Sequence, residues 1–301
     1  MDLIDFILNI AALLLWLSWR AALYDPLTTA TPATLAGTLR RAGPRPFRRW
    51  HFLLALAVLL LLRAEFYHLL GPALNWTATL NLGTTRLAFR CDARALMLLY
   101  SALSFGLGLG MFLLWLLVFS LLARGSETAP PIRLARTQLG RFARWSTWKK
   151  LLLPLVAGFT IWWLLSWPLS AWGLVPRSPT EGARLAQAAL VGLGCYLAAK
   201  YVLVALLGLH LLHNHIYFGR HPVWNFVDLA ARRLLRPLHF IPLRIGKVNL
   251  APLVGIVLVL ACAHALEHGV RPRTRLDVNG RPERPELDIP GLAVLYERVS
   301  K

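Results

Sequence analysis

Six apolar segments, each long enough to cross a lipid bilayer, limit the folds open to this chain more than any other feature. A membrane-spanning helix needs about 20 predominantly apolar residues. The 301 residues are 57% hydrophobic and their mean hydropathy is +0.54, a composition that ordinary soluble domains do not reach. We therefore expect an all-α integral membrane protein with about six transmembrane helices. The predicted spans are residues 3–23, 51–71, 96–123, 150–175, 185–212 and 250–268.

The chain is strongly basic, with 33 Lys and Arg against 14 Asp and Glu and a formal net charge of +19. In a soluble protein this imbalance would suggest nucleic-acid binding. Most of the basic residues, however, lie in short loops beside apolar runs, where the positive-inside rule and attraction to anionic lipid explain them. The charge therefore predicts contact with a bilayer of anionic headgroups and argues against direct nucleic-acid binding.

The basic loops also predict an orientation. Residues 24–50, 124–149 and 213–249 are the loops richest in Arg and Lys, and six spans place all three on one side, which should be the cytoplasm. The basic tail at 269–301 opposes this assignment, although its charges are mixed in sign. We expect a multi-pass protein of the cell membrane, specifically a bacterial inner membrane, with both termini outside.

An internal repeat emerges when the basic loops are aligned. Residues 35–62, 134–165 and 229–260 share a pattern at a spacing near 100 residues, and each belongs to a unit of helix, basic loop and helix with interfacial amphipathic segments. Such parallel repeats differ from the inverted repeats of many transporters. The predicted units are residues 1–95, 96–183 and 184–268, followed by an extramembrane tail, 269–301.

Three shorter segments carry local expectations. The N-terminal run contains Asp2 and Asp5 where a cleavable signal would be basic, so we expect a retained first helix. Residues 77–91 alternate loosely between apolar and polar side chains, which predicts a small hairpin around Gly83. The tail segment 281–286 reads as extended or disordered.

Residues 221–254 carry the most specific motif of the chain. It consists of Pro222, Asn225 and Phe226, then Leu234-Leu235-Arg236-Pro237-Leu238, Ile241-Pro242, Gly246 and Asn249-Leu250-Ala251-Pro252-Leu253-Val254. This ordered set resembles the YggT (YlmG-like) family of small bacterial and plastid membrane proteins. Asn249 stands where that family usually has Asp, Ala251 where it has Ser, and His239 where Arg is common. The resemblance implies a membrane protein without an established catalytic activity, whose relatives are linked to cell division, nucleoid distribution and membrane-complex assembly.

The same motif has a physical interpretation. The apolar residues from Val223 to Leu235 form one helical stripe, as in helices that lie in the membrane interface with arginines toward anionic lipid. Prolines end that helix, and one more proline suits the first turn of the last span, with Asn249 as its N-cap. The motif then either shapes a turn at the membrane face or forms a protein-docking surface. The predicted partner- or lipid-binding residues are Arg232, Arg233, Arg236, Pro237, Pro242, Asn249 and Pro252.

Among the charged residues within the predicted spans, Arg63, Glu65 and Lys200 are the candidates for a functional role. Charges at bilayer depth are costly and face the bundle interior or water. We expect a Glu65–Lys200 or a Glu65–Arg63 pair acting as a polar clamp, with a snorkelling chain as the other structural reading. An ion or proton pathway is the alternative, which would make the chain a channel or transporter.

Histidines supply a further alternative. His264, Glu267 and His268 match H-x-x-E-H, and Glu65 and His68 end an equivalent helix. Side chains at i, i+3 and i+4 share a helix face, as a zinc site requires, so a metal-dependent membrane enzyme is the second alternative. Polar groups reaching water at helix ends are the simpler explanation. A second cluster comprises His210, His213, His215 and His221.

The leading hypothesis from the sequence is a non-catalytic inner-membrane scaffold or assembly factor. It would use its basic loops to bind unidentified membrane or cytoplasmic proteins, with no catalytic residues and no resident cofactor or metal. The glycines within 104–112 and 191–195 predict close helix packing or contacts in a homo-oligomer.

Overall fold

The computed structural model describes residues 2–23, 49–122, 130–176, 178, 180–216, 221–238, 244–245, 248–270 and 289–300. The described helices are α1 (Asp2–Leu23), α2 (Arg49–Leu70), α3 (Arg94–Leu122), α4 (Pro130–Leu139), α5 (Thr147–Ala171), α6 (Glu181–Gly194), α7 (Ala199–His215), α8 (Pro222–Leu234), α9 (Ala251–His268) and α10 (Leu292–Ser300). Three two-stranded sheets accompany them, formed by β1 (Ala78–Asn81) with β2 (Arg86–Phe89), β3 (Arg244–Ile245) with β4 (Val248–Asn249), and β5 (Gly269–Val270) with β6 (Ile289–Pro290).

Six described helical segments are long and apolar enough to cross a membrane. They are Asp2–Ala21, Trp50–Leu70, Arg94–Leu122, Thr147–Ala171, Glu181–His215 and Ala251–His268. The prediction of a mostly helical, multi-pass membrane protein is thereby confirmed. The fifth span comprises α6 and α7, joined by a short 3-10 turn at Cys195–Ala198.

The chain divides into two compact units. Unit one consists of Met1–Leu80 and Ala88–Met111. Within it α1 packs along α2, and the buried rings of Tyr67 and Tyr100 lie 5.9 Å apart between centroids. Trp76 lies 5.0 Å from Tyr67 and Phe89 lies 5.4 Å from Tyr100. This edge-packed aromatic cluster supplies much of the apolar interior of unit one.

The small hairpin predicted around Gly83 is confirmed. Strands β1 and β2 pair with each other, and Gly83 occupies the turn with a φ of 85°. The side chain of Asn81 accepts a hydrogen bond of 2.9 Å from the Gly83 N–H, which is the local bond by which Asn favours turns. A positive φ carries little steric penalty for glycine, so this position suits the turn.

Unit two consists of Asn81–Leu87 and Phe112–Lys301. Its most extensive helix pairs are α5 with α6 and α7 with α9, and α8 packs on α7. One core cluster contains Ile132, Val202, Leu206, Phe226, Val227 and Ala230. The three predicted hairpin units remain a prediction about repetition in the sequence, since α5 packs chiefly against a helix of the next predicted unit.

Part of the predicted tail folds onto unit two. Helix α10 packs against α6, and Tyr296 is buried with its ring 6.1 Å from that of Trp162. Burial raises the pKa of Tyr296 to about 12, so the phenol keeps its proton at neutral pH. The segment 281–286 lies outside the described residues.

Candidate functional site

The amphipathic segment of the motif forms helix α8, as predicted. It begins at Pro222, whose missing N–H costs nothing in a first turn. Phe226, Val227 and Ala230 are buried, and the Phe226 ring lies 5.5 Å from that of Phe119. The apolar stripe is therefore covered by other helices of unit two. Its predicted contact with lipid stays a prediction.

The arginines at the end of α8 have different environments. Arg233 donates to the carbonyl oxygen of Leu122, the last residue of α3, where a cation satisfies an orphan carbonyl and complements the helix dipole. Arg232, Arg236 and Pro237 are exposed. We call these three residues the α8 basic surface.

The remaining motif residues sit around the start of α9. Pro252 is buried in the first turn, as predicted. Leu250, and not Asn249, occupies the N-cap position, so the predicted cap is wrong by one residue. Asn249 is the last residue of β4 and pairs with Arg244 of β3. Because Asn249 is part of this strand, the helix begins after it, with Leu250 as its N-cap. Pro242 lies outside the described residues.

Arg63 is a buried charge of unit one with several hydrogen-bond partners. Its side chain is 0% exposed and forms an ion pair with Asp5. It also donates to Asn9 Oδ1 at 2.8 Å and to Ser104 Oγ at 2.7 Å, while Tyr67 donates to the same Asp5 carboxylate at 2.7 Å. This buried network joins α1, α2 and α3.

The prediction that Arg63 pairs with Glu65 is therefore wrong. Glu65 lies at a nitrogen–oxygen distance of 3.9 Å from Arg94, in an exposed pair. Residues two apart on a helix do not face each other, so Glu65 cannot share the face of Arg63. In the sequence, Asp5 stands out only as an acid where a cleavable signal would be basic. An acid within one apolar span and an arginine in the next span are the pattern that indicates this pair.

Lys200 pairs within unit two. Its Nζ lies 3.1 Å from Glu267 Oε2, joining α7 to α9, and both side chains are roughly one-fifth to one-quarter exposed. Its ammonium also lies 5.3 Å from the centre of the Tyr201 ring. The predicted partner Glu65 is replaced by Glu267, while the role of an interhelical polar clamp agrees with these contacts.

A third interhelical bond joins α7 to α8. His210 is buried and its Nδ1 donates to Asp228 Oδ1 at 2.8 Å, while Asn214 Nδ2 donates to His210 Nε2 at 3.3 Å. His213 lies 3.7 Å from the other Asp228 oxygen and stacks on Trp224 at 5.2 Å. Both ring nitrogens of His210 are thus used in hydrogen bonds that fix α8 on α7.

The metal candidates are used in other contacts. His68 Nδ1 donates to the Cys91 carbonyl oxygen at 2.9 Å. The rings of His264 and His268 stack at 4.5 Å, while Glu267 bonds Lys200. In the part of the chain that the structure describes, no group of three or more His, Cys, Asp or Glu side chains could hold a metal ion.

The two histidines that complete the second cluster serve local backbone contacts. His215 Nδ1 donates to the Leu211 carbonyl oxygen at 2.9 Å. His221 lies at the N-cap of α8, where its Nδ1 accepts from the Val223 N–H at 3.4 Å.

Comparison with known proteins supplies no identity: no family model, curated protein or solved structure matches the chain.

Proposed function

We propose that this chain is a non-catalytic membrane scaffold or assembly factor of the YggT type, which docks a protein partner on the α8 basic surface. One observation carries the proposal: the apolar face of α8 is buried in unit two while Arg232 and Arg236 stay exposed. The helix is thus held in place by protein contacts and presents its charges outward.

The chemistry of that surface favours an acidic protein partner. Arginine is enriched in protein interfaces and at their energetic centres, because its planar guanidinium bonds carboxylates in a fixed geometry. Pro237 is exposed beside Arg236 and restricts the chain there. Anchoring of α8 by His210 and Asp228 reduces the ordering cost that a docking segment would otherwise incur.

The proposal includes a placement in the membrane. By the positive-inside rule the α8 basic surface faces the cytoplasm of a bacterial inner membrane, with both termini outside. The similarity of the three helix–loop–helix segments supports an origin by repetition of one hairpin. On this view the first two units retain the hairpin shape and the third carries the docking motif.

The contacts of the intramembrane charges support a scaffold over a conductor. Arg63 is paired with Asp5 and Lys200 with Glu267, so each cation has a local anion and acts between helices. Ion or solute conduction remains the alternative hypothesis, because charges in spans also mark pathways.

Neutralising the α8 basic surface tests the proposal. The double variant Arg232→Gln, Arg236→Gln should reduce partner recovery at least about fivefold, corresponding to roughly 1 kcal/mol, with membrane insertion unchanged. Recovery is measured with a photoreactive residue at Leu229, one turn before Arg232, followed by mass spectrometry of crosslinked proteins. Division, nucleoid or complex-assembly proteins among them would name the process.

A matched control removes equal charge elsewhere on unit two. Arg141 and Arg144 are exposed and belong to the 3-10 segment after α4, so Arg141→Gln, Arg144→Gln should leave recovery unchanged. Equal recovery by wild type and the Arg232, Arg236 variant would refute the docking assignment. Equal loss of partner recovery in both double variants would show that recovery depends on net charge and not on the α8 basic surface.

Flux measurements separate the scaffold from the conductor. Purified protein reconstituted in vesicles at high loading should give no ion flux above protein-free vesicles, because Lys200 is bonded to Glu267. Flux that disappears in Lys200→Leu would establish conduction and displace the scaffold hypothesis.

A further inference from the structure

A cavity with a mixed polar and apolar lining lies in unit two between the C-terminal end of α5 and the N-terminal end of α6. Its volume is about 600 Å³, within the range of small-molecule sites. It opens where the chain passes from the fourth span to the fifth, at the opposite end of the fifth span from α8. The polar and aromatic lining includes Ser166, Trp167, Ser178, Glu181, Arg184 and Gln187.

Gln187 gives the cavity an unused donor. The residue is 0% exposed and its Oε1 accepts from Ser178 Oγ at 2.9 Å, but Nε2 has no hydrogen-bond partner among the described residues. A buried donor left unpaired costs about 1–3 kcal/mol, so such groups in a folded protein call for a ligand or water. Gln187 belongs to the cavity lining, and because its amide is enclosed, a small shift of the side chain would bring this donor to an acceptor oxygen in the cavity.

Arg184 places a fixed cation at the same cavity. Its Nε donates to Ser166 Oγ at 3.0 Å and an Nη2 proton goes to the Trp163 carbonyl oxygen at 3.0 Å. The guanidinium lies 5.4 Å from the centre of the Trp163 ring. These contacts orient the group and leave further N–H donors on Nη1 and Nη2 for a ligand. The N-terminus of α6, capped by Thr180, adds a partial positive charge.

Glu181 balances that positive charge at the cavity mouth. Its side chain is 81% exposed and lies 3.7 Å from Arg184, which exceeds hydrogen-bond length. Arg184 and Glu181 give the lining one cation and one anion, an arrangement complementary to a zwitterion. Trp167, whose surface is 74% exposed, lines the opening, and tryptophan is enriched at the level of lipid headgroups.

We propose that this cavity binds the headgroup of a zwitterionic phospholipid carrying a primary ammonium. Phosphate oxygens accept from Gln187 Nε2 and Arg184, and the ammonium pairs with Glu181. The site is separate from the α8 basic surface and independent of the docking function proposed for it.

Lipid-dependent thermal stability and native mass spectrometry of the full chain test this site. After detergent exchange, added phosphatidylethanolamine should raise the melting temperature and remain bound more than phosphatidylglycerol. Gln187→Leu removes the buried unpaired donor together with the acceptor of Ser178 Oγ. It should still fold, but bind phosphatidylethanolamine at least about fivefold more weakly, as expected for about 1 kcal/mol. Glu181→Gln should lose the preference for phosphatidylethanolamine over phosphatidylglycerol.

Three comparisons make the result decisive. Glu65→Gln, Arg94→Gln removes an exposed ion pair elsewhere and should keep wild-type lipid retention. A stabilisation by millimolar inorganic phosphate equal to that by phosphatidylethanolamine would assign a soluble phosphate ligand and overturn the lipid assignment. Unchanged retention of phosphatidylethanolamine by Gln187→Leu and by Arg184→Gln would overturn the site itself.

Discussion

Arg63→Leu is expected to lower the free energy of unfolding by about 3–5 kcal/mol, because breaking a buried ion pair leaves an uncompensated charge. Asp5 would keep its carboxylate in a setting where its side chain is only 17% exposed. Asn9 and Ser104 would also lose the donors that Arg63 now supplies. Thermal unfolding in mild detergent or bicelles measures the loss.

The double variant Asp5→Leu, Arg63→Leu tests whether the unpaired carboxylate of Asp5 causes the loss of stability. Replacing a buried ion pair by apolar residues is often close to neutral, so the double variant should be more stable than Arg63→Leu alone. Glu65→Leu, Arg94→Leu serves as a control, because both side chains of that pair are substantially exposed and such pairs contribute about 0–1 kcal/mol. A double variant no more stable than the single one would show that the ion pair is not the source of the loss.

Gly192→Ala is expected to destabilise unit two by about 1–3 kcal/mol, the usual cost of overpacking. A Cβ at this position of α6 would lie 2.7 Å from the Leu155 carbonyl oxygen and 3.2 Å from the Phe159 nitrogen. Both atoms belong to the backbone of α5, so only a separation of the two helices can relieve the clash. Gly192 thus permits the close approach that small residues provide between membrane helices.

Gly208→Ala is the matched control for that change. Among the described residues, and apart from the backbone of α7 itself, no heavy atom lies within 4 Å of the Cβ position at Gly208. Alanine is favoured over glycine in a helix interior by about 0.5–1 kcal/mol, so this variant should melt at the same or a higher temperature. Equal destabilisation by the two substitutions would indicate a general effect of losing glycine and would contradict the packing argument.

Three pairs of charged or titratable side chains in the spans have the same physical role. Asp5 with Arg63, Lys200 with Glu267 and, at the end of α7, His210 with Asp228 each join two helices by an ion pair or hydrogen bond. Burial makes an unpaired charge costly, so pairing is the condition for keeping such residues inside a membrane bundle. These bonds fix helix positions.

Local patterns in the sequence were sufficient for much of the fold. The six spans were predictable because apolar length alone decides whether a helix can cross a bilayer. The hairpin at Gly83 and helix α8 were also predictable, since a turn residue and a 3.6-residue apolar period act over neighbouring positions. The close approach of helices at 191–195 likewise follows from small residues in a span.

Tertiary structure decided which partner each of these residues has. Arg63 pairs with Asp5 because the helical rotation between Arg63 and Glu65 places them on different faces. Only the packing of α8 separates Arg233, which bonds the end of α3, from the exposed Arg232. The unpaired amide of Gln187 likewise depends on how α5 and α6 meet. The sequence by itself determined the membrane architecture, because hydrophobicity and turn preferences are local, whereas the sites depend on contacts between segments far apart in the chain.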